Sequence, residues 1–407
     1  GLFGTANYFG RLANYFLIFQ SLSLPWMLKK IGGSDRKLLT LLMVVGYAAY
    51  FYYANAINQP FDQDFARLTV AEPVYNVAPY LRQCLDSLVG QTYRNIEIIC
   101  IDDGSTDGCG EILDQYAESD ARISVFHIEN AGVSSARNKA LLYASGKYVM
   151  YVDGDDWIDV CTCEKAAFKA EECAADLVMW PYIREFPEHS APKNIFHSEI
   201  AFNAAGCRDL QRRMVGLSGE ELAHPENADA LCTVWGKLYR RELIAQNGIR
   251  FTDLQRIGTY EDGLFNLEYL AHVKSAVYIP DHLCHYRKNI GMTSRYRERL
   301  AAQWGNLFSD MHSYLERVRC GDDFEQALNN RISLSIIGLG LNALALPNRE
   351  ALREIRGILS EREYRAAIKT LPMRYFPPHW WAFFACCKMN FAPGVFLLLK
   401  CMERIKG

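Results

Sequence analysis

Two clusters of aspartates follow short apolar runs in this sequence. The first lies in IDDGSTDG, which begins at Ile101, and the second lies in YVDGDDW, which begins at Tyr151. A carboxylate cluster directly after an apolar strand is costly unless it meets a cation or hydrogen-bond donors. Asp153 and Asp155 form a DxD pair that can hold one hard cation, such as Mg²⁺ or Mn²⁺. Alone the pair is a weak signal, because Asp-Gly is also a common turn.

Alternating strands and amphipathic helices position these clusters from Val70 onward. Apolar residues at helical spacing predict one buried helix face over 81–89, and small residues every four positions predict another over 136–144. Apolar runs predict strands at 96–101 and 147–152. Repeated β-α units indicate an α/β fold with a mostly parallel sheet flanked by helices. Ligands of such sheets bind beyond the carboxyl ends of the strands, where both clusters fall.

Composition indicates a globular protein with some membrane character. The chain has 407 residues, of which 50% are hydrophobic and 22% charged, and its net charge of −3 gives no sign of a nucleic-acid partner. Thirteen cysteines without a CxxC pair indicate reduced, mostly buried thiols. We expect hydrophobic helices over 1–62, the α/β domain over 63–290 and a helical C-terminal region over 291–407.

An uncharged apolar segment near the start predicts association with a membrane. Leu38–Ile57 is about long enough to cross a ~30 Å hydrocarbon layer, and the shorter apolar segment Leu12–Leu28 precedes it. A buried helix of a soluble domain is the alternative. The chain begins at Gly1 without a secretory signal, which suggests a piece of a longer protein. The aromatic tail Trp380–Lys406 predicts either an interfacial helix or a helix packed on the preceding domain.

The order of the motifs resembles glycosyltransferase family 2 with the GT-A fold. PVYN at Pro73, IDDGSTDG, GVSSARN at Gly132 and YVDGDDW carry the resemblance, which continues more weakly through WGKLYRR, YEDGLF and HYR as far as Arg287. The resemblance implies inverting, metal-dependent transfer of a single sugar from a nucleoside diphosphate sugar, often a UDP-sugar, to a glycan or lipid-linked acceptor. We expect a role in surface or extracellular polysaccharide synthesis, with the enzyme on a membrane and its catalytic domain in the cytoplasm.

The resemblance also implies roles for residues of the nucleotide-sugar site. Pro73 and Tyr75 would line the nucleotide pocket, and Asp103 would hydrogen-bond the base while Asp102 supports the loop. Arg137 would approach the diphosphate, since its fork suits phosphate oxygens. A salt bridge from Arg137 to acidic residues is the alternative.

The remaining implied roles belong to carboxylates. Asp153 would lie near the ribose, and Asp155 would hold the metal, with Asp156 competing for that role. Asp262 in YEDGLF would be the general base, because an acceptor hydroxyl must lose its proton as it attacks the anomeric carbon. The alternative is that Glu261 and Asp262 only stabilise a helix start.

Several other side chains carry weaker signals. His282 and His285 on a predicted loop could indicate a metal site, although this spacing is more often structural. Arg287 could clamp a phosphate. Trp235 and Lys237 either shape the acceptor side or pack the segment.

Glu72 departs from the family pattern, because the first strand is normally an apolar run up to the proline. It predicts a disturbed first strand, with Phe61–Glu72 as a junction. Three rival functions stay open. A processive synthase should carry QxxRW, which is absent from the sequence. A catalytically inactive sugar-nucleotide-binding module would keep the fold, and a nucleotidyltransferase should carry a Gly-rich basic loop after the first strand.

Overall fold

Two β-sheets organise the described part of the chain up to residue 288. The computed structural model describes residues 66–288 and 296–406. The apolar segments Leu12–Leu28 and Leu38–Ile57, and the predicted hydrophobic helices over 1–62 with them, lie outside the described residues. The strands are β1 (Leu68–Val74), β2 (Ile96–Asp102), β3 (Ile123–His127), β4 (Tyr148–Tyr151), β5 (Trp157–Ile158), β6 (Leu177–Met179), β7 (Tyr182–Glu185), β8 (Ser190–Lys193), β9 (Ile200–Phe202), β10 (Lys237–Arg240), β11 (Ala276–Tyr278) and β12 (Cys284–Arg287).

The main sheet has eight strands in the order β3-β2-β1-β4-β10-β6-β11-β9. The first four are parallel, as the β-α repeats predict. Strand β10 lies antiparallel between β4 and β6, and β9 is antiparallel to β11. Strand β11 pairs parallel with β6, so only β10 and β9 run against the other six strands. The sheet is therefore mixed, and the expected parallel arrangement holds for most but not all of its strands. A second sheet has the order β5-β12-β7-β8.

Helices cover the main sheet and form the C-terminal region. They are α1 (Ala78–Val89), α2 (Cys109–Ser119), α3 (Val133–Tyr143), α4 (Thr162–Glu172), α5 (Ala204–Val215), α6 (Arg241–Gln246), α7 (Leu254–Ile257), α8 (Glu261–Leu270), α9 (Leu300–Val318), α10 (Asp322–Ala343), α11 (Asn348–Ser360), α12 (Arg362–Thr370), α13 (Pro378–Lys388) and α14 (Ala392–Lys406). The predicted helix over 81–89 is α1, whose buried face contains Leu81, Cys84, Leu85 and Leu88.

The first strand is regular despite its glutamate. Strand β1 pairs with β2 on one side and β4 on the other, and all its residues except Pro73 are buried. Glu72 is 0% exposed and lies opposite Cys100 in the β2 register. The expected disturbance of the first strand is wrong, because the strand keeps its ladder and buries the carboxyl group instead.

The C-terminal region is helical, as predicted. The tail is not one helix but two, α13 and α14, separated by a turn that includes Asn390 at φ 54°. Helix α14 approaches α10 closely, since a Cβ added at Gly340 would lie 2.4 Å from Leu399 Cδ1. Within 66–288 and 296–406, no helix is long and apolar enough to cross a membrane.

All thirteen cysteines fall within the described ranges, and all are free thiols. Eight of them are buried. The prediction of reduced, mostly buried cysteines is confirmed, and the core is closed by apolar packing rather than by disulfides.

Candidate active site

Arg137 is the hub of a buried ion-pair network. Its Nη1 donates to Asp262 Oδ1 at 2.6 Å and lies 3.5 Å from Glu261 Oε1, and its Nη2 donates to Asp153 Oδ1 at 2.9 Å. The arginine side chain is only 4% exposed, whereas those of Asp153 and Asp262 are 26% and 18% exposed. The guanidinium therefore joins the DxD pair to YEDGLF, and the carboxylates keep a face toward solvent.

Three elements bring this network together. Arg137 lies on α3, Asp153 follows β4, and Glu261 and Asp262 form the first turn of α8. Arg137 and Asp262 are 125 residues apart in the chain. The structure therefore shows the salt bridge that we weighed as an alternative for Arg137, and its predicted contact with a diphosphate stays a prediction.

An aromatic ring and an amide fix the orientation of Arg137. The Phe251 ring centroid lies 5.5 Å from Arg137 Cζ. Asn138 holds Phe251 in place through two hydrogen bonds with its backbone, from Asn138 Nδ2 to Phe251 O at 2.9 Å and from Phe251 N to Asn138 Oδ1 at 2.8 Å. Asn138 belongs to the GVSSARN motif, although the sequence alone assigns it no role.

The backbone also positions Asp262. Its Oδ2 accepts a hydrogen bond from Val234 N at 3.1 Å. Asn266, which is fully buried, donates to Asp262 O and to the carbonyl oxygens of Cys232 and Thr233. The carboxylate is therefore held between Arg137 and the segment 232–234 before any ligand arrives.

Burial shifts the protonation of both carboxyl groups at the start of α8. Burial and the neighbouring Asp262 charge raise the pKa of Glu261 to about 7. Burial also raises the pKa of Asp262, and the Arg137 guanidinium opposes that shift. A carboxylate with a raised pKa is a better proton acceptor near neutral pH, so the pair suits general-base chemistry.

The loop after β2 is held by both of its aspartates. Asp103 is 2% exposed, and its two carboxylate oxygens accept hydrogen bonds from Ala131 N at 2.9 Å and Gly132 N at 2.8 Å. Asp102 accepts from Ser105 N at 3.0 Å and contacts His127 Nδ1 at 2.8 Å. The predicted supporting role suits Asp102, and Asp103 braces the turn before α3. Its hydrogen bond to a base stays a prediction.

The PVYN segment is hydrogen-bonded to the loop that follows β2. Pro73 is half-buried near the end of β1, and Tyr75 is 51% exposed beyond it. Asn76 adopts φ 51°, and its Oδ1 accepts a hydrogen bond from Thr106 N at 2.8 Å. Asp107 Oδ2 accepts from Ala78 N at 2.9 Å, so it caps α1 from a different loop. Sequence reasoning did not single out these last two contacts, because each joins residues about 30 positions apart.

The DGDD segment contacts β12 through Arg287. Arg287 N donates to Asp156 Oδ1 at 2.8 Å, and its Nε donates to Asp155 O at 2.9 Å. The Arg287 guanidinium also lies 4.8 Å from the Trp157 ring centroid. Burial and the neighbouring Asp153 raise the pKa of Asp155 and, more strongly, that of Asp156.

The donor set at DGDD fits a hard cation in part. Asp156 Oδ2 is buried and accepts no hydrogen bond from the described residues. Crowded carboxylates with raised pKa values are relieved by a divalent cation. No cluster of three or more ligating side chains occurs in 66–288 or 296–406. A cation here would take one or two protein carboxylates and complete its shell with phosphate and water oxygens, as Mg²⁺ commonly does.

Of the two histidines near the end of the domain, His285 has structural partners. His285 lies on β12 rather than on the predicted loop, stacks on Trp157 at 4.9 Å and contacts Glu185 Oε1 at 2.7 Å. Trp235 and Lys237 are 7% and 2% exposed, so the structure places both in packing positions. Burial lowers the pKa of Lys237 to about 8.

Comparison with known sequences supports the family that the motifs indicate. Residues 69–245 match the profile of Glycosyl transferase family 2. The chain is 31% identical to the Uncharacterized glycosyltransferase EpsJ of Bacillus subtilis over 317 residues, which cover 76% of this chain and 88% of that protein. It is 38% identical to Glycosyltransferase GlyA of Streptococcus pneumoniae over 232 residues, 56% of this chain, but the match spans only 32% of GlyA.

Comparison with solved structures supports the fold. Residues 1–349 of TarS from S. aureus, in a crystal structure with UDP-GlcNAc, superpose with a TM-score of 0.60 at 19% identity. The superposition covers 83% of this chain and 92% of that one. The likeness concerns the arrangement of the mixed sheet and its helices.

Proposed function

The chain belongs to glycosyltransferase family 2 and is a glycosyltransferase, and from that premise we propose that it transfers one sugar from a nucleoside diphosphate sugar to an acceptor hydroxyl. The donor is a UDP-sugar, the acceptor is a glycan or a lipid-linked glycan, and the anomeric centre is inverted. The product belongs to a surface or extracellular polysaccharide.

One observation carries the proposal. Arg137 binds the carboxylates of DGDD and YEDGLF at the same time, so one guanidinium connects the predicted donor side to the predicted base. Ion pairs in a buried network are held at fixed separations, since breaking one leaves an uncompensated charge. The two motifs therefore act on one reacting centre between them.

Asp262 is the proposed base. Its Oδ1 and Oδ2 are oriented by Arg137 and Val234 N, and 18% of its side chain stays exposed. In a single-displacement reaction the carboxylate accepts the acceptor hydroxyl proton as the oxygen attacks the anomeric carbon, and the diphosphate leaves from the opposite face. Glu261 lies beside it with a pKa of about 7 and is the nearest competitor for this role.

The donor side consists of the loops that follow β1, β2 and β4. Pro73, Tyr75 and Asp103 line the nucleotide site, and Asp153 lies near the ribose. Asp155 would hold the metal, with Asp156 beside it, and a bound Mg²⁺ or Mn²⁺ would offset the charge of the diphosphate leaving group. Arg287, whose Nε donates to Asp155 O, is the proposed partner of the phosphate oxygens.

The donor can be identified by thermal-shift titration with UDP-, GDP- and dTDP-sugars in the presence of Mn²⁺, followed by a transfer or hydrolysis assay. TarS was crystallised with UDP-GlcNAc, so this sugar nucleotide is the first to test. A ligand at about a hundred times its dissociation constant should stabilise the protein by about 2.7 kcal/mol. Binding of a donor without release of nucleoside diphosphate on any acceptor would favour the inactive binding module.

We also propose that the enzyme works on a membrane with its catalytic domain in the cytoplasm. Apolar side chains on and next to the two tail helices stay exposed, among them Trp381 at 52%, Met389 at 69% and Leu397 at 63%. The predicted apolar segment Leu38–Ile57 gives the same expectation from sequence. Recovery of the full chain in the soluble fraction without detergent would refute this part of the proposal.

A further inference from the structure

A cavity of about 660 Å³ lies between the start of α8 and the C-terminal helices. Its walls come from α9, α10, α13 and α14 and from the residues before Glu261, and they are mainly apolar. Trp304, Leu341 and Trp380 are among the side chains that line it. A cavity of several hundred Å³ with apolar walls is the size and character of a small-molecule site. None of the roles proposed above uses it.

The cavity suits an uncharged ligand. Arg331 lines it, but the guanidinium is engaged by Asp229 Oδ1 at 3.1 Å, by Val215 O and by Tyr260 OH at 2.7 Å. Glu226, also in the lining, contacts His224 Nδ1 at 3.0 Å. The Arg331 charge is balanced by Asp229, and the Glu226 side chain is 56% exposed, so its charge stays in contact with solvent. The mainly apolar walls of the cavity favour hydrocarbon.

Tyr260 links the cavity to the proposed base. Its ring lies 4.0 Å below Arg331 Cζ and forms part of the cavity wall. The residue adopts φ 73° and directly precedes Glu261 and Asp262 at the start of α8. Cys232 contacts Tyr260 OH, and the same segment supplies the Val234 amide to Asp262. The cavity and the base therefore share one helix start and one loop.

The tail helices form part of the cavity wall. Trp380, Ala382 and Met402 line the cavity, while Trp381 and Leu397 on the same two helices are exposed. A hydrocarbon chain leaving a lipid surface would meet apolar side chains outside the cavity and then inside it.

We propose that this cavity receives the hydrocarbon chain of a lipid-linked acceptor, so that the polar end of the acceptor reaches Asp262. The proposal rests on the proposed function and specifies its acceptor class. The shared chemistry is a long uncharged chain, which can be a straight alkyl chain or an isoprenoid.

Two filling substitutions, on two different helices, test the site. Ala382→Phe fills it from α13 and Ser335→Phe fills it from α10. Ala385→Phe is the matched control, because it adds the same ring to α13 outside the cavity lining. The full chain is photolabelled with a diazirine-bearing dodecanol and with a diazirine-bearing farnesol, and the labelled peptides are mapped.

We expect label on the α10 peptide around Leu341, lost in both filling variants and kept in the control. With a transferable acceptor, the KM for the lipid-tailed form should rise about tenfold or more in the filling variants, since burying even two methylene groups contributes this much. The KM for a tailless analogue and the donor hydrolysis rate should not change.

Label confined to exposed residues such as Trp381, or label that survives both fillings, would overturn the proposal. An equal loss of activity on tailed and tailless acceptors would do the same, because it indicates general damage. Absence of all donor turnover in the wild-type chain would instead refute the proposed function, and the photolabelling result would still decide whether the cavity takes a hydrocarbon chain.

Discussion

Replacing Glu72 by glutamine should stabilise the protein at alkaline pH. The carboxyl group is fully buried in the centre of the sheet, where the thiols of Cys84 and Cys100 are its polar neighbours. Cys100 Sγ donates to Glu72 Oε2 at 3.3 Å, and Glu72 Oε1 accepts no hydrogen bond from any described residue. Thiols are weak donors, so little compensates the desolvation of a negative charge.

The size of the effect follows from the pKa. Burial raises the pKa of Glu72 from 4.5 to about 7. The folded state therefore binds a proton that the unfolded state has lost between pH 4.5 and 7, so stability falls as pH rises through this interval. Above pH 7 the carboxylate is charged in both states, and the full cost of burying that charge remains. This cost is about 3 kcal/mol at 1.36 kcal/mol per pKa unit. At pH 5 the cost is under about 1 kcal/mol by the same relation.

Urea unfolding of the wild type and Glu72→Gln at pH 5 and pH 8 measures this difference. The stabilisation by glutamine should grow by about 2–3 kcal/mol between the two pH values. Glu97→Gln on the adjacent strand β2 is the control, because its effect on stability should have the opposite sign. Although burial opposes it, hydrogen bonds from Thr69, Ser145 and Gly146 hold the pKa of Glu97 below its ordinary value. Glu97→Gln should therefore destabilise at neutral pH, and its effect should fade as pH drops through the pKa of the carboxyl group.

A Glu72→Gln effect that is the same at pH 5 and pH 8 would refute the reasoning. It would mean that the Glu72 carboxyl group keeps its ordinary pKa, and hence that water or another donor reaches it in the folded protein.

Three further predictions concern the ion-pair network and the metal. Asp262→Asn should lower turnover by about 10²–10⁴-fold with little change in donor affinity, while Glu261→Gln should do less; the reverse ranking in a transfer assay would exchange their roles. Asp155→Ala should weaken metal and donor binding together in thermal-shift titrations, and full activity of this variant in the presence of a chelator would contradict a metal role. Arg137→Met should destabilise the protein by about 1.5–3 kcal/mol, because it removes charge-assisted hydrogen bonds to half-buried carboxylates; denaturant unfolding alongside Asp153→Asn should show coupling between the two sites, and additive effects would argue against a shared network.

The strands and helices up to β4 could be predicted from sequence. The convergence of their motifs at one edge of the sheet could be predicted as well. Helix α1 and strand β2 follow from local spacing, and parallel strands with short connections place PVYN and the two aspartate clusters at one edge. In the observed register, Val74 lies beside Asp102 and Ala71 beside Tyr151. The motifs converge because each follows the end of a neighbouring strand.

What sequence reasoning missed depends on contacts between distant residues. The insertion of β10 between β4 and β6 leaves no trace in local periodicity, and neither does the second sheet that turns His285 into a strand residue. Glu72 was expected to disturb β1, but hydrogen bonding on both sides of the strand outweighs one unfavourable side chain. The pairing of Arg137 with Asp262 could only be weighed as an alternative, since nothing near either residue specifies the other.

The position of β10 sets an order of events during synthesis. Strand β6 leaves the ribosome before either of its neighbours in the sheet, because β10 and β11 both follow it in the chain. Lys237 is made about 60 residues after Met179, and at about 5–20 residues per second β6 waits for about 3–12 s without a partner. During that interval β4 and β6 both present unpaired edges, which are sites for wrong pairing with other chains. A growing chain is therefore exposed to wrong strand pairing while residues 180–240 are being added, and binding of a chaperone to nascent chains should rise in that window.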